Sequence, residues 1–398
     1  MPALIWLAAL LEGLSLLFIQ GFLPLYVRRN LGEAHFVTVA AVVAVPAVGT
    51  MLASNFWGGV SDVSGRLKPI ILVGVLGYAA AIGGFPLLRG GPAVLVFIGL
   101  ASLFYGTLAP SLKTYVTLAR PDRREHALSY LLMAQSVGWL IGSGSGGWLF
   151  ERGMAPTLRL AAGLCAIVLA AHAAASWRWL ADLRRAPLPA REQRGWLAGL
   201  LADLASLYEN PRLLALCVVV FLGVTGAYAA WGFFAVFLTE HLHASVGMLG
   251  FALAASSVAG IAAYFAVGPI VRRFGGVRVL QAALTLYIPM YLAMALTRSP
   301  LLVSIVYAFP LYGAVHVSAA TLAAEYSRTE QRGGGLGVLN GIYALAGIVG
   351  PITAGLLADA RGLGIVPWTG LAFLVAGSAV AWWGLARAKD TAPGRKPG

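Results

Sequence analysis

Residues 56–74 read FWGGVSDVSGRLKPIILVG. Asp62, Arg66 and Lys68 sit among glycines here, between two long apolar runs. Charge is scarce elsewhere: of 398 residues, 59% are hydrophobic and 11% charged. A soluble domain carries about 25% charged residues, so most of these side chains cannot face water. Apolar runs of around 20 residues recur along the whole length, enough for an α-helix to cross roughly 30 Å of hydrocarbon. The short alternating segments of a β-barrel are not found. The predicted fold class is an all-α membrane protein, and the charged stretch is a turn between two of its spans.

Working outward from that turn, the spans fall at 3–26, 36–58, 69–88, 92–119, 127–149, 157–180, 212–238, 246–269, 275–297, 300–324, 334–358 and 364–386, twelve in number. The first is too long for the apolar region of a signal peptide and reads as a retained span. The only long polar segment between spans divides the chain into a six-helix bundle over 1–180, a central loop over 181–211, a second six-helix bundle over 212–390 and a tail over 391–398. The net charge of +13 does not indicate nucleic acid, because the basic residues cluster in short loops between spans. Twenty of the 28 Lys and Arg fall on one side, seven on the other, and Lys113 lies within a span. The basic side is predicted to be cytoplasmic, with both termini there. Cys165 and Cys217 lie inside apolar runs and read as buried thiols. No metal-ligand cluster, nucleophile triad or phosphate loop is evident, so neither an enzyme nor a cofactor is expected.

The halves resemble each other at an offset of about 210 residues, where QGFLPLYVRRNLG (20–32) answers to WGFFAVFLTEHLH (231–243) and FYGTLAP (104–110) to LYGAVHV (311–317). Two such bundles around a midplane site are the pattern of a secondary transporter. With position and repeat in agreement, FWGGVSDVSGRLK resembles the signature loop of the major facilitator superfamily, G-x-L-A-D-R-x-G-R-K. Gly58, Asp62, Gly65 and Arg66 hold their places, Lys68 comes one position late, and Val63 stands where the family has Arg. The resemblance implies a cytoplasmic gate formed by Gly58, Asp62, Gly65 and Arg66 with the loop arginines Arg120 and Arg123. The bland alternative is a basic topogenic loop with a turn-forming Asp. GWLIGSGSGG (138–147) is similar to the fifth-helix pattern of the family's antiporters, with Gly138, Gly142, Gly146 and Gly147 in place and Ser143 replacing a proline. Gly350 and Pro351 repeat the theme in the eleventh span. The resemblance implies a helix-packing role and export; generic glycine packing is the plain alternative.

An ionisable group at a helix centre costs at least roughly 2.5–3.5 kcal/mol, so each one inside a span is a functional candidate. The candidates are Glu12, Lys113, His172, His316 and Glu325. Glu12 shares a helix face with Ser15, Ile19 and Gln20 at i+3, i+7 and i+8. It can exchange a proton, or form a structural ion pair with Lys113, and both readings stay open. His316 lies one turn from Tyr312, and Thr225, Tyr228 and Trp231 share a face of the seventh span. His172 reads as structural and Glu325 as interfacial. In the family the first, fourth, seventh and tenth helices line a central cavity. By resemblance, Glu12, Lys113 and His316 are assigned to proton coupling, and Gln20, Tyr105, Tyr228, Trp231, Tyr312 and His316 to the substrate cavity.

The resemblance therefore implies a proton-coupled exporter of hydrophobic or amphipathic small molecules, in the inner membrane of a bacterium and monomeric. The alternative is a carrier of a polar metabolite such as a sugar or organic acid. Expected partners are the substrate, protons and the bilayer.

Overall fold

The computed structural model describes residues 2–16, 21–119, 124–181, 210–327 and 332–387. All elements named below are helical. In order they are α1 (Pro2–Leu16), α2 (Phe22–Asn30), α3 (Phe36–Ser64), α4 (Lys68–Gly84), α5 (Gly91–Ala119), α6 (Arg124–Glu151) and α7 (Met154–Trp179). The second half supplies α8 (Pro211–Val236), a π-helical turn (Phe237–His241), α9 (Val246–Phe274), α10 (Gly276–Leu296), α11 (Pro300–Ala308), α12 (Leu311–Tyr326), α13 (Arg332–Arg361) and α14 (Val366–Arg387). The predicted central loop over 181–211 and tail over 391–398 fall almost wholly outside the described residues.

Among the described residues, nine helical stretches are long and apolar enough to cross a membrane, beginning with Phe36–Ser54 and ending with Leu363–Leu385. The predicted first and third spans appear as shorter apolar helices, Ile5–Leu14 and Lys68–Gly84. The predicted fifth, α6, is not among the nine; Gln135, Ser136, Ser143 and Ser145 dilute its apolar character. The predicted tenth span is two helices. Its chain breaks at Phe309–Pro310, where proline has no N–H to continue a helical ladder. Exposed positions carry large apolar side chains, among them Leu160, Ile167, Phe265 and Trp383. Hydrocarbon solvates such a surface and water does not.

The opening stretch folds differently from a loop. Helix α3 runs on through Asp62 to Ser64, and only Gly65–Leu67 separates it from α4. Gly65 has φ +62°, the left-handed conformation that ends helices and that glycine adopts at least cost. Asp62 thus belongs to the last turn of a helix.

The chain forms two compact units, Met1–Trp196 with Phe234–Val258, and Leu197–Phe233 with Ala259–Gly398. Small residues set the helix crossings in each. In the first, α1 packs on α6, α3 on α5, and α4 on both α5 and α7. In the second, α10 packs on α14 and α12, and α8 meets α14 where Gly226 faces the Gly370 carbonyl at 2.6 Å from an added Cβ. Interhelical polar contacts join these surfaces: Gln281 Nε2 donates to the Ala381 carbonyl at 2.9 Å, and the Thr285 and Ser378 hydroxyls lie 3.0 Å apart.

Candidate functional site

In the first unit the site is built on Glu12, which is 3% exposed. Helices α1 and α6 touch through glycine on both sides. A Cβ on Gly13 would meet the backbone oxygen of Gln135, and one on Gly138 the backbone oxygen of Leu10. Such contact is possible only where side chains are absent. It brings Gln135 within reach of the carboxylate, and Nε2 donates to Glu12 Oε1 at 3.0 Å. Tyr105 on α5 hydrogen-bonds the same carboxylate, and its ring lies 6.0 Å from that of Tyr78 on α4. Lys113, two turns along α5, is exposed and acts on Glu12 electrostatically. Ser15, Ile19 and Gln20, predicted to share a helix face with Glu12, lie outside the residues whose side chains are described.

The second unit holds an aromatic group. The His316 ring lies 3.9 Å from Tyr312 and 4.1 Å from Tyr343, nearly parallel to the latter. Its Nε2 is buried and has no hydrogen-bond partner. The Tyr312 hydroxyl is 3.5 Å from that of Tyr228, whose ring is 6.0 Å from Trp231. Trp231 in turn hydrogen-bonds Tyr307. The predicted set Tyr228, Trp231, Tyr312 and His316 is therefore contiguous, with Tyr307 and Tyr343 as additions. Thr225 is buried against α13, where Gly350 approaches its backbone oxygen to 2.5 Å from an added Cβ and Pro351 follows in the same helix.

Of the predicted cytoplasmic gate, Gly58 and Asp62 have helical backbone but lie outside the described side chains, and Arg120 and Arg123 lie outside the described residues. Arg66 is exposed, and its backbone N–H is 3.3 Å from the Ser64 hydroxyl. His172 is buried with its Nε2 3.4 Å from Ser176, and Glu325 is exposed at the end of α12.

An ion pair that the sequence reading did not anticipate lies within the first unit. Arg28 Nε donates to Glu240 Oε2 at 3.1 Å, while Arg28 also binds the carbonyls of Glu33 and Ala34. Arg29 donates to the Thr239 carbonyl at 3.2 Å. Nearby in sequence, Glu151 accepts from the Gly247 N–H at 2.8 Å, a carboxylate at the N-terminus of α9. Gly147 of α6 and Gly250 of α9 meet with backbones in contact, an added Cβ on Gly147 lying 2.6 Å from the Gly250 Cα. The internal repeat carried a signal for the ion pair, because it sets Arg28-Arg29 opposite Thr239-Glu240. Gln135 gave none beyond its place one turn before Gly138, since it bears no charge.

Among the described residues, no group of three His, Cys, Asp or Glu is placed to hold a metal. The chain is 28% identical over 169 residues to a multi-drug resistance efflux pump PmrA homolog of Lactococcus lactis, a match spanning 41% of this chain and 40% of that relative. It is 28% identical over 320 residues to multidrug resistance protein MdtG of a Rahnella strain, covering 74% of this chain and 71% of that one. Among solved structures, a mutant of the nucleoside transporter NupG superposes with a TM-score of 0.81 at 15% identity, covering 97% of this chain and 99% of that one. A bacterial homolog of the human lysosomal transporter Spinster superposes with a TM-score of 0.77 at 15% identity, covering 99% and 98%. Both likenesses show the fold. Residues 5–366 match the MFS_1 like family, and the chain belongs to that family of multi-pass membrane transporters of small molecules, which are not enzymes.

Proposed function

We propose that this chain exports hydrophobic or amphipathic small molecules in exchange for protons, by alternating access. It would act as a monomer with twelve spans, in a bacterial inner membrane, with both termini in the cytoplasm. The single observation that carries the reading is Glu12, a carboxyl 3% exposed and held by Gln135 and Tyr105 inside an apolar helix. A carboxyl in such a place is retained at a cost, and gain and loss of a proton is the chemistry that makes the cost useful. Lys113, on the neighbouring helix, would respond to the charge on Glu12.

The aromatic group would contact the substrate. Tyr228, Trp231, Tyr312 and His316 offer ring faces with a few hydroxyls, which suits bulky, partly apolar ligands. Tyr105 and Gln20 would complete the substrate contacts in the first unit. His316 is stacked on Tyr343 with Tyr312 tilted against it, an arrangement that favours its part in the aromatic wall over a part in carrying the proton. The names of the relatives from Lactococcus and Rahnella support drug-like cargo. Asp62, Arg66, Arg120 and Arg123, with Gly58 and Gly65 at the turn, would form the cytoplasmic gate. Gly138, Gly142, Gly146, Gly147, Gly350 and Pro351 would keep helices close while they move.

The test is flux into proteoliposomes with an acidic lumen, using ethidium, uridine and glucose as probes. An exchanger accumulates ethidium under that gradient; a proton symporter expels its substrate instead. A second reading, a carrier of an organic anion, is favoured by Lys113, a cation exposed on α5. Lys113→Met separates the two: an anion carrier loses substrate binding, whereas the exporter keeps binding and loses only coupling.

A further inference from the structure

We infer that Gln135 is the positioning residue that reads the protonation state of Glu12 and ties it to helix α6. The inference rests on the reading of Glu12 as the coupling carboxylate. The geometry is specific. Gln135 Nε2 donates to Oε1 of Glu12 at 3.0 Å, and Gly13 and Gly138 bring the two backbones into contact on either side of that bond.

The chemistry of the amide suits the task. A carboxylate only accepts hydrogen bonds, while a carboxylic acid also donates one. A glutamine side chain has both an NH2 donor and a carbonyl acceptor. It can therefore donate to Glu12 when the carboxyl is charged, and turn its carbonyl toward the O–H when the carboxyl is neutral. A tyrosine hydroxyl, such as Tyr105 on the other side, can adjust by rotating its hydrogen alone. To accept from the protonated carboxyl, Gln135 has to turn its amide and move heavy atoms, and so converts a proton into a displacement.

Helix α6 is built to pass that displacement on. Gly138 lies one turn beyond Gln135 against α1, Gly147 lies against Gly250 of α9, and Glu151 accepts from the Gly247 N–H at 2.8 Å. From Gln135 to Glu151 the helix spans about 24 Å at 1.5 Å per residue. Of the groups named around Glu12, Gln135 is the one carried by α6. Tyr105 and Lys113 come from α5, and the Tyr78 ring on α4 lies 6.0 Å from that of Tyr105. On α7, which also packs on α1, Arg159 is exposed and His172 is engaged with Ser176.

The experiment compares Gln135→Met, which keeps the side-chain length and removes both polar groups, with Glu12→Gln and with Ser136→Ala. Ser136 bonds back to the Leu132 carbonyl of its own helix and serves as the control. Each variant is reconstituted, and flux of whichever probe the wild-type protein carries (ethidium, uridine or glucose) is measured two ways. One is driven by a proton gradient; the other is substrate counterflow with no gradient. Gln135→Met is expected to lose about tenfold in gradient-driven flux, the effect of removing one hydrogen bond to a charged group, with counterflow retained. A merely structural glutamine would lower both together, and that result overturns the inference. So does a Gln135→Met protein with wild-type coupling, provided Glu12→Gln is uncoupled; the reading of Glu12 then stands alone. If Glu12→Gln itself remains coupled, both fall.

Discussion

The two units solve the problem of a polar group in an apolar helix in opposite ways. In the first, Glu12 is buried and hydrogen-bonded by an amide and a phenol, with an ammonium within electrostatic range. In the second, His316 is wrapped by phenol rings at 3.9 and 4.1 Å, and its Nε2 has no partner. A group whose charge changes needs donors and acceptors that answer each state. A ring that contributes face area needs only other rings. The contrast is what the proposed division of labour requires: proton handling at Glu12 in the first unit, ligand contact around His316 in the second.

The sharpest way to break that contrast is to exchange the expected phenotypes. Glu12→Gln is expected to reduce gradient-driven flux by about 5–150-fold, the range of ordinary coupling energies, and to leave counterflow nearly intact. His316→Gln should do the reverse, weakening apparent substrate affinity by about three- to tenfold through loss of ring stacking. His316→Phe keeps the stack and should behave like wild type. If His316→Phe were as uncoupled as Glu12→Gln, the histidine would be a proton carrier and the division between the units would fail.

A smaller effect sharpens the comparison through stability. Gly138→Ala in the first unit and Gly350→Ala in the second each place a methyl against a neighbouring backbone. Each should cost about 1–3 kcal/mol, read as a lower Tm in detergent. The two should differ in function, because only Gly138 adjoins the Glu12–Gln135 bond: Gly138→Ala should lose coupling beyond its loss of stability, and Gly350→Ala should not. The Arg28–Glu240 pair is partly exposed, at 23% and 22%. A double-mutant cycle with Arg28→Ala and Glu240→Ala should therefore give a coupling of about 1 kcal/mol or less. Smallest of all, Tyr228→Phe removes one 3.5 Å hydroxyl contact and should change apparent affinity by about threefold at most.

Much of this was legible in the sequence because the bilayer enforces simple rules. Runs of apolar residues predict helices, and intramembrane charges stand out against them, so Glu12 and the aromatic set were visible at once. What escaped notice was polar but uncharged, or depended on packing. Gln135 reaches Glu12 because Gly13 and Gly138 bring α1 and α6 into contact, a distance no single segment encodes. The break at Phe309–Pro310 was hidden by an apolar run that continues across it. The continuation of α3 through Asp62 was masked by glycines and charges that usually mark a loop, whereas only Gly65 makes the turn. The Arg28–Glu240 pair was foreshadowed in the repeat, which aligns Arg28-Arg29 with Thr239-Glu240, and that becomes informative once the two segments are known to meet.

The most direct measurement is proton release from purified protein in weakly buffered detergent when substrate is added. If Glu12 carries the exchanged proton, the wild-type protein releases protons on binding the transported probe, and Glu12→Gln binds it without release. Release of equal size from Glu12→Gln would contradict that assignment and move the proton to another group.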